Sequence, residues 1–479
     1  MFVSGPIPSR PWPARSCLAG LLILAQGCGS TNGTPGASGS AGASGSAGTS
    51  GSAGVSGSAG ASGSAGTSGS AGTSGSAGTG GNAGTGAAGT GGGGRGGTNS
   101  DGGTSPDDAG ADAPPGRGDA GPFYPLEMSD VTILAPLPQS IATPVLLRGT
   151  DLADDGTSLV PSALFDRLVA DSASGQLILQ PGTYERLQLV AVRFDLCDRH
   201  LPGVCPEAED ARMRLVFQPL SDGSTAQDVG FHAFYTIRND EIAGAVAALR
   251  DLAMTVPAQS GPLRISPALS AADPEAYATK LRAFVKRYGG DARLVRLTMN
   301  ALNGRFEQLV WALRGVEKKD DAFVDITLVG ATESSESVAL FGGTTFDVMP
   351  ITDTPAGLLG AITKSMFDGA DSATKRADLA ALAAVENPMS NTTETVACVA
   401  CHVSTVVMSA RVTSSAIDPL TLPGRYTSKF DLSTAGGKSA ETQATRALGY
   451  LGIQPMISQR VVNDTAQTLT EIETRYPAP

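Results

Sequence analysis

Near the C-terminal end of the 479-residue chain, two thiols and an imidazole stand together in the run Cys398-Val399-Ala400-Cys401-His402. Thiols three positions apart can close a disulfide, bind a soft metal, or each add to a vinyl group of a planar cofactor whose iron then takes the adjacent imidazole as axial ligand. With six Cys and three His in the chain, random placement would give such a run in only roughly 5 of 10,000 chains of this composition. Three rival uses stay open on the residues alone. A redox disulfide of the thioredoxin kind wants a strand-helix-strand context, which the flanks lack. Zinc wants about four ligands, and adjacent Cys and His seldom serve one ion together. A disulfide that merely closes the short loop is the third.

The spacing is that of c-type haem attachment, and the run resembles the cytochrome c superfamily. That resemblance implies a covalent haem c, with Cys398 and Cys401 as the thioether sites and His402 as the proximal ligand. It extends over roughly Ser372 to Tyr476 through the order attachment helix, loop, Met, final helix, which resembles class I cytochromes c. In that order Met456, following Gln454-Pro455, is the candidate sixth ligand. Met408, only six residues past His402, lies about 9 Å along the same helix and reaches the opposite haem face with difficulty. His232, in a strand far upstream, is a second candidate. The activity implied is one-electron transfer to a redox partner protein that the sequence does not name. Ligation by His and Met would raise the potential, whereas an iron lacking a sixth protein ligand would bind O₂, NO or peroxide and suit a sensor or peroxidase. An electron carrier is expected ahead of a catalyst, and the chain shows no P-loop, HExxH or GxSxG run.

Haem of this type is attached outside the bacterial cytoplasm, and the N-terminus carries an export pattern. Arg10 and Arg15 precede a short apolar run from Cys17 to Ala25, too short to span a bilayer, as in a signal peptide. Leu24-Ala25-Gln26-Gly27-Cys28 resembles a bacterial lipobox, which implies a signal over 1–27 and an acylated Cys28 that anchors the mature chain to a lipid membrane. Gly29 and Ser30 do not resemble an inner-membrane retention signal, so the expected address is the outer membrane of the cell envelope. Residues 29–122 hold 34 Gly and no aromatic residue, much of it a six-residue GSAGxS repeat. Such a tract cannot bury a core, and 28–122 reads as a disordered tether with a reach of roughly 50–60 Å. Of the remaining cysteines, Cys197 and Cys205 flank a Pro202-Gly203 turn and are expected to form a disulfide in an oxidising compartment. A metal or redox site using His200 is the alternative there.

The elements that must position these groups follow from hydrophobic periodicity. Period-two runs at Arg186–Phe194, Met213–Phe217, Phe231–Tyr235, Arg293–Met299, Phe306–Leu313 and Ala322–Val329 predict strands, with Asn303-Gly304 as a hairpin turn. Asn239-Asp240-Glu241 opens a helix to about Met254, and Asp273-Pro274-Glu275 opens another that stops at Gly289-Gly290. Helical runs follow at Pro355–Phe367, Ser372–Val385, Thr393–Met408 and Val461–Tyr476. The fold class expected is α+β: a β-rich, sandwich-like domain with helices over 123–350, then a mainly helical cytochrome c-like domain over 351–479. The formal charge of −12, with no Lys/Arg cluster, excludes a nucleic-acid partner. A haem-free surface lipoprotein with a disulfide-stabilised binding or adhesion module is the rival from another class.

Overall fold

In the computed structural model of the protein, residues 125–477 are described, apart from segments 171–181, 198–205, 304–308, 327–334, 342–346, 351–357, 435–445 and a few shorter ones. The signal, Cys28, the tether, His200, Cys205 and the Asn303-Gly304 turn's Gly lie outside the described residues. In chain order the elements are α1 (Met128–Val131), β1 (Thr132–Leu134), α2 (Ser162–Ala170), β2 (Leu187–Asp195), β3 (Ala211–Pro219), β4 (Val229–Ile237), α3 (Ile242–Ala253), α4 (Glu275–Tyr288), β5 (Leu294–Asn303), β6 (Leu309–Lys319), β7 (Ala322–Asp325), β8 (Ser335–Phe341) and β9 (Asp347–Pro350). They continue as α5 (Leu359–Ile362), α6 (Lys364–Gly369), α7 (Ser372–Val385), α8 (Cys398–Ser415), β10 (Leu448–Leu451), β11 (Gln454–Ile457) and α9 (Gln459–Arg475).

Strands β1 to β9 form one antiparallel sheet in the order β1-β2-β3-β4-β5-β6-β8-β9, with β7 also paired to β6. The class is therefore mixed α+β, but the sandwich expected from the strand runs is a single sheet; among the described residues the β10–β11 hairpin is the other sheet. Register sorts the side chains into two faces, because directly opposed residues point the same way and neighbours along a strand point oppositely. Phe194, Met213, Tyr235 and Leu294 belong to one face, as do Phe217, Phe231 and Met299. This apolar face packs on α2, α3 and α4, with Phe165 of α2 stacked 5.0 Å from Phe231. A helix rather than a second sheet covers it because α3 and α4 supply long apolar stripes, through Leu249 and Leu252 and through Leu281, Phe284 and Tyr288.

The other face is polar and is nevertheless covered. Strands β2, β3 and β4 are buried along almost their whole length, which period-two alternation alone would assign to a sheet with one wet face. The cover is C-terminal: the Gln218 side chain of β3 accepts from Tyr450 N–H at 2.6 Å and donates to its carbonyl at 3.0 Å, and Tyr450 OH donates to Ala135 O at 2.6 Å. Thr132 of β1 and Thr465 of α9 share a hydroxyl contact of 2.6 Å. A second apolar core joins Trp311 and Leu313 of β6 to Leu379 and Leu382 of α7, Val403 and Val407 of α8, and Met456 of β11. The described residues from 125 to 477 accordingly belong to one compact unit. The mainly helical domain expected over 351–479 is corrected to a set of helices plus a hairpin that close on the sheet, because the cores of α7–α9 are completed by sheet residues. Among the described residues no helix is long and apolar enough to cross a membrane.

Candidate functional site

The first turn of α8 presents the thiols and imidazole together. Cys398, Cys401 and His402 stand at i, i+3 and i+4, so they share one helix face. The neighbouring face, with Val399, Ala400, Val403 and Val407, is buried in the second core and fixes the rotation of the helix. Buried Arg411, three turns on, donates to Ala361 O at 3.1 Å and Ile362 O at 2.8 Å, satisfying carbonyls at the end of α5 and holding α8 in place. Neither thiol is in a disulfide. Burial pushes the Cys401 thiol up, so it is protonated at neutral pH.

These residues line a cleft between α8, α9 and the polar face of the sheet. Across the sheet, Arg193, Arg214, Phe234, Arg296 and Glu317 lie in one register row from β2 to β6. Arg214 stands 4.6 Å from the centre of the Phe234 ring, a cation–π contact. Beside this row, His232 and Thr298 are register partners on β4 and β5. His232 is buried, and burial first, then the neighbouring imidazole and guanidiniums, keep its ring neutral. Two residues farther along β5 from Thr298, Asn300 meets His402: its Nδ2 lies 2.8 Å from the imidazole Nδ1. That hydrogen bond orients the ring whichever end of the amide faces it.

The cleft carries a buried ionic network. Arg193 pairs with Asp195 and, at 3.1 Å, with Asp464 of α9. Arg214 pairs with Asp195 at 3.3 Å, and Arg460 with Asp464 at 2.7 Å. Burial opposes the charge of Asp464, but the Arg460 and Arg193 guanidiniums outweigh it and hold the carboxyl below its usual range. Arg460 also reaches Val385 O at 2.7 Å and Asn391 O at 2.8 Å, which ties α9 to the end of α7. Four lining arginines, at 193, 214, 296 and 460, face three carboxylates, Glu317 and Asp464 of the lining and the buried Asp195 behind it, so the network carries 4 − 3 = +1 in a chain of net charge −12. A ligand with carboxylates of its own fits that balance.

The structure thus brings Cys398, Cys401 and His402 together with His232. Met456 is wholly buried on β11 in the second core, against which Cys398 also packs, and it is not among the residues that line the cleft. The hairpin explains this, since β11 pairs with β10 and Met456 opposes Gly449, whereas the sequence order suggested a loop. Met408 lines a different cavity, with Glu386 and Thr405. Cys197 is disulfide-bonded; Cys205 is outside the described residues. Among the described residues no group of three or more His, Cys, Asp and Glu is placed to hold a metal ion. Sequence reasoning missed Asn300, Asp464 and the four arginines. Their one signal was the polar half of each strand's alternation, Arg212-x-Arg214 and Arg296-x-Thr298-x-Asn300, which reads as a solvated face until a cover is known. Comparison of the chain with protein-family models, with curated proteins and with solved structures finds no match.

Proposed function

We propose that this chain is an exported, lipid-anchored protein of the bacterial cell envelope that carries one covalent c-type haem and passes single electrons to a partner protein. The observation that carries the proposal is that Cys398, Cys401 and His402 line a single cleft from one helix face, with neither thiol in a disulfide. The donor set fits the group. The two thiols would be the thioether sites, and with the Asn300 amide turned so that its Oδ1 accepts from His402 Nδ1–H, Nε2 would be left as the nitrogen for iron. Bound there, haem would supply a one-electron couple in a largely water-excluded setting. The protein's own contribution is to bind and orient. Arg193, Arg214, Arg296 and Arg460 give the cleft the cationic excess that carboxylate side groups require, while the Asp195 and Asp464 pairs keep those guanidiniums fixed. Thr298, Ile326, Val396 and Val461 line the rest with small or apolar surface. The haem-bearing helix belongs, in this reading, to the α+β unit. Cys28 and the Gly-rich tract serve as anchor and spacer, and the redox partner is approached at the open mouth of the cleft.

The test is export of the full chain from a host competent in cytochrome c maturation, followed by haem staining of a denaturing gel and a pyridine haemochrome spectrum. The expected result is covalent haem, one per chain, lost in the Cys398→Ala, Cys401→Ala double variant. Mature exported protein without haem would refute the proposal and leave a haem-free surface lipoprotein.

A further inference from the structure

Among the described residues His232 is the one further imidazole at this site, and its placement carries an inference of its own. It stands on β4, 7% exposed, in the same cleft as His402 but supplied by a strand 170 residues earlier in the chain. The centres of the two rings are 6.4 Å apart and their planes are inclined at 69°. Two imidazoles bound on opposite sides of one metal ion, with bonds of about 2 Å and about 1.2 Å from nitrogen to ring centre, would hold their centres about 6.4 Å apart. The rings stand edge to face, at the wide end of the range for such a pair, about 4.5–7 Å. Each is also fixed by its surroundings: His402 by Asn300, and His232 by a central strand paired on both sides, opposite Val216 and Thr298.

We infer that His232 is the second axial ligand of the haem, which makes the site a bis-histidine centre; this rests on the haem reading above. The haem is then held between helix α8 and the sheet, and Met456 has a packing role in the second core. Two consequences follow for function. With both axial positions filled by the protein, the iron carries electrons and does not take O₂, NO or peroxide, so the sensor and peroxidase alternatives fall away. And because methionine ligation is what raises the potential in the His/Met cytochromes c, this centre works at a lower potential than they do, suited to a partner on the reducing side of an envelope electron-transfer chain.

The experiment uses the full chain, exported from a maturation-competent host, as wild type, His232→Ala, His232→Met and Met456→Leu. Haem content is read by pyridine haemochrome, axial ligation by ferric electron paramagnetic resonance and near-infrared absorption, and access to the iron by carbon monoxide binding to the ferrous form. The wild type and Met456→Leu are expected to be low-spin, to lack the long-wavelength absorption band of methionine-ligated ferric haem, and to bind no carbon monoxide. His232→Ala should keep one covalent haem per chain, bind carbon monoxide stoichiometrically, and return to the low-spin form on addition of imidazole. His232→Met should gain the methionine band and a higher midpoint potential. A methionine band or carbon monoxide binding in the wild type, which requires no variant to fold, would overturn the assignment while leaving the covalent haem intact. Wild type without covalent haem fails at the earlier step and overturns both readings.

Discussion

Glu386 offers a test of how tightly the C-terminal elements close. It caps the end of α7, where its carboxyl is buried and accepts from Thr405 Oγ1 of α8 at 2.7 Å. The same Thr405 oxygen receives Gln459 N–H, at the start of α9, at 3.1 Å, so one carboxyl joins three helices. Burial pushes Glu386 up from 4.5 to about 7, against the lowering effect of the Thr405 and Ser404 hydroxyls and of Arg460. The end of a helix, where the carbonyls point, is also a poor place for a negative charge. Below pH 4.5 the folded and unfolded chains both hold the proton. Between 4.5 and 7 only the folded chain does, so stability falls as pH rises through that window and levels off above it. At about 1.4 kcal/mol per pH unit the loss is on the order of 3 kcal/mol. Glu386→Gln keeps an acceptor for Thr405 and has no charge to bury. It should match the wild type at pH 4.5 and be on the order of 3 kcal/mol more stable at pH 8. Urea unfolding followed by circular dichroism and by Trp311 fluorescence, at several pH values from 4.5 to 8, measures the difference directly. A gap between the two proteins that does not widen with pH would refute the reasoning, and a variant less stable at pH 8 would reverse it.

Two further substitutions probe the hairpin. Gly449 has φ of 128°, and a Cβ there would lie 2.4 Å from Gln218 Oε1; Gly449→Ala should therefore cost about 1–3 kcal/mol through strain and a displaced Gln218, read as a lowered urea midpoint. Tyr450→Phe removes the buried hydrogen bond to Ala135 O and should cost about 1–2 kcal/mol; an unchanged midpoint would mean that the hairpin does not bear on β1.

The strands were legible in the sequence because each has one strictly apolar half: Phe231, Ala233 and Tyr235 announce β4 without help from any neighbour. Helices α3 and α4 were legible from their caps and stripes, and α8 from the run that starts it. What the sequence hid was the second cover of the sheet. His232, Arg214, Arg296 and Asn300 look like the wet half of an alternating strand, and only the return of α8 and α9 onto that face buries them. The same gap explains Met456. Gln454-Pro455-Met456-Ile457 is too short to show a period, so its pairing with Leu448–Leu451 and its burial against Trp311 could not be read locally. The thiols and His402 were found from spacing, and His232 was named only as a second candidate; Asn300, 102 residues from His402 along the chain, was not found.

The bonds Tyr450 to Ala135 and Thr132 to Thr465 join positions 315 and 333 residues apart. Closing a contact that distant requires nearly the entire folded unit to exist first, and loop closure of that length slows the final step of assembly. The polar face of the sheet, with its buried guanidiniums, therefore stays open until the last helix has been synthesised and delivered. A chain shortened by α9 would leave Arg193 without Asp464 and β1 without Thr465, exposing the interior along a whole face. Docking of the seventeen-residue helix α9 is thus the event that separates a closed polar face from an open one.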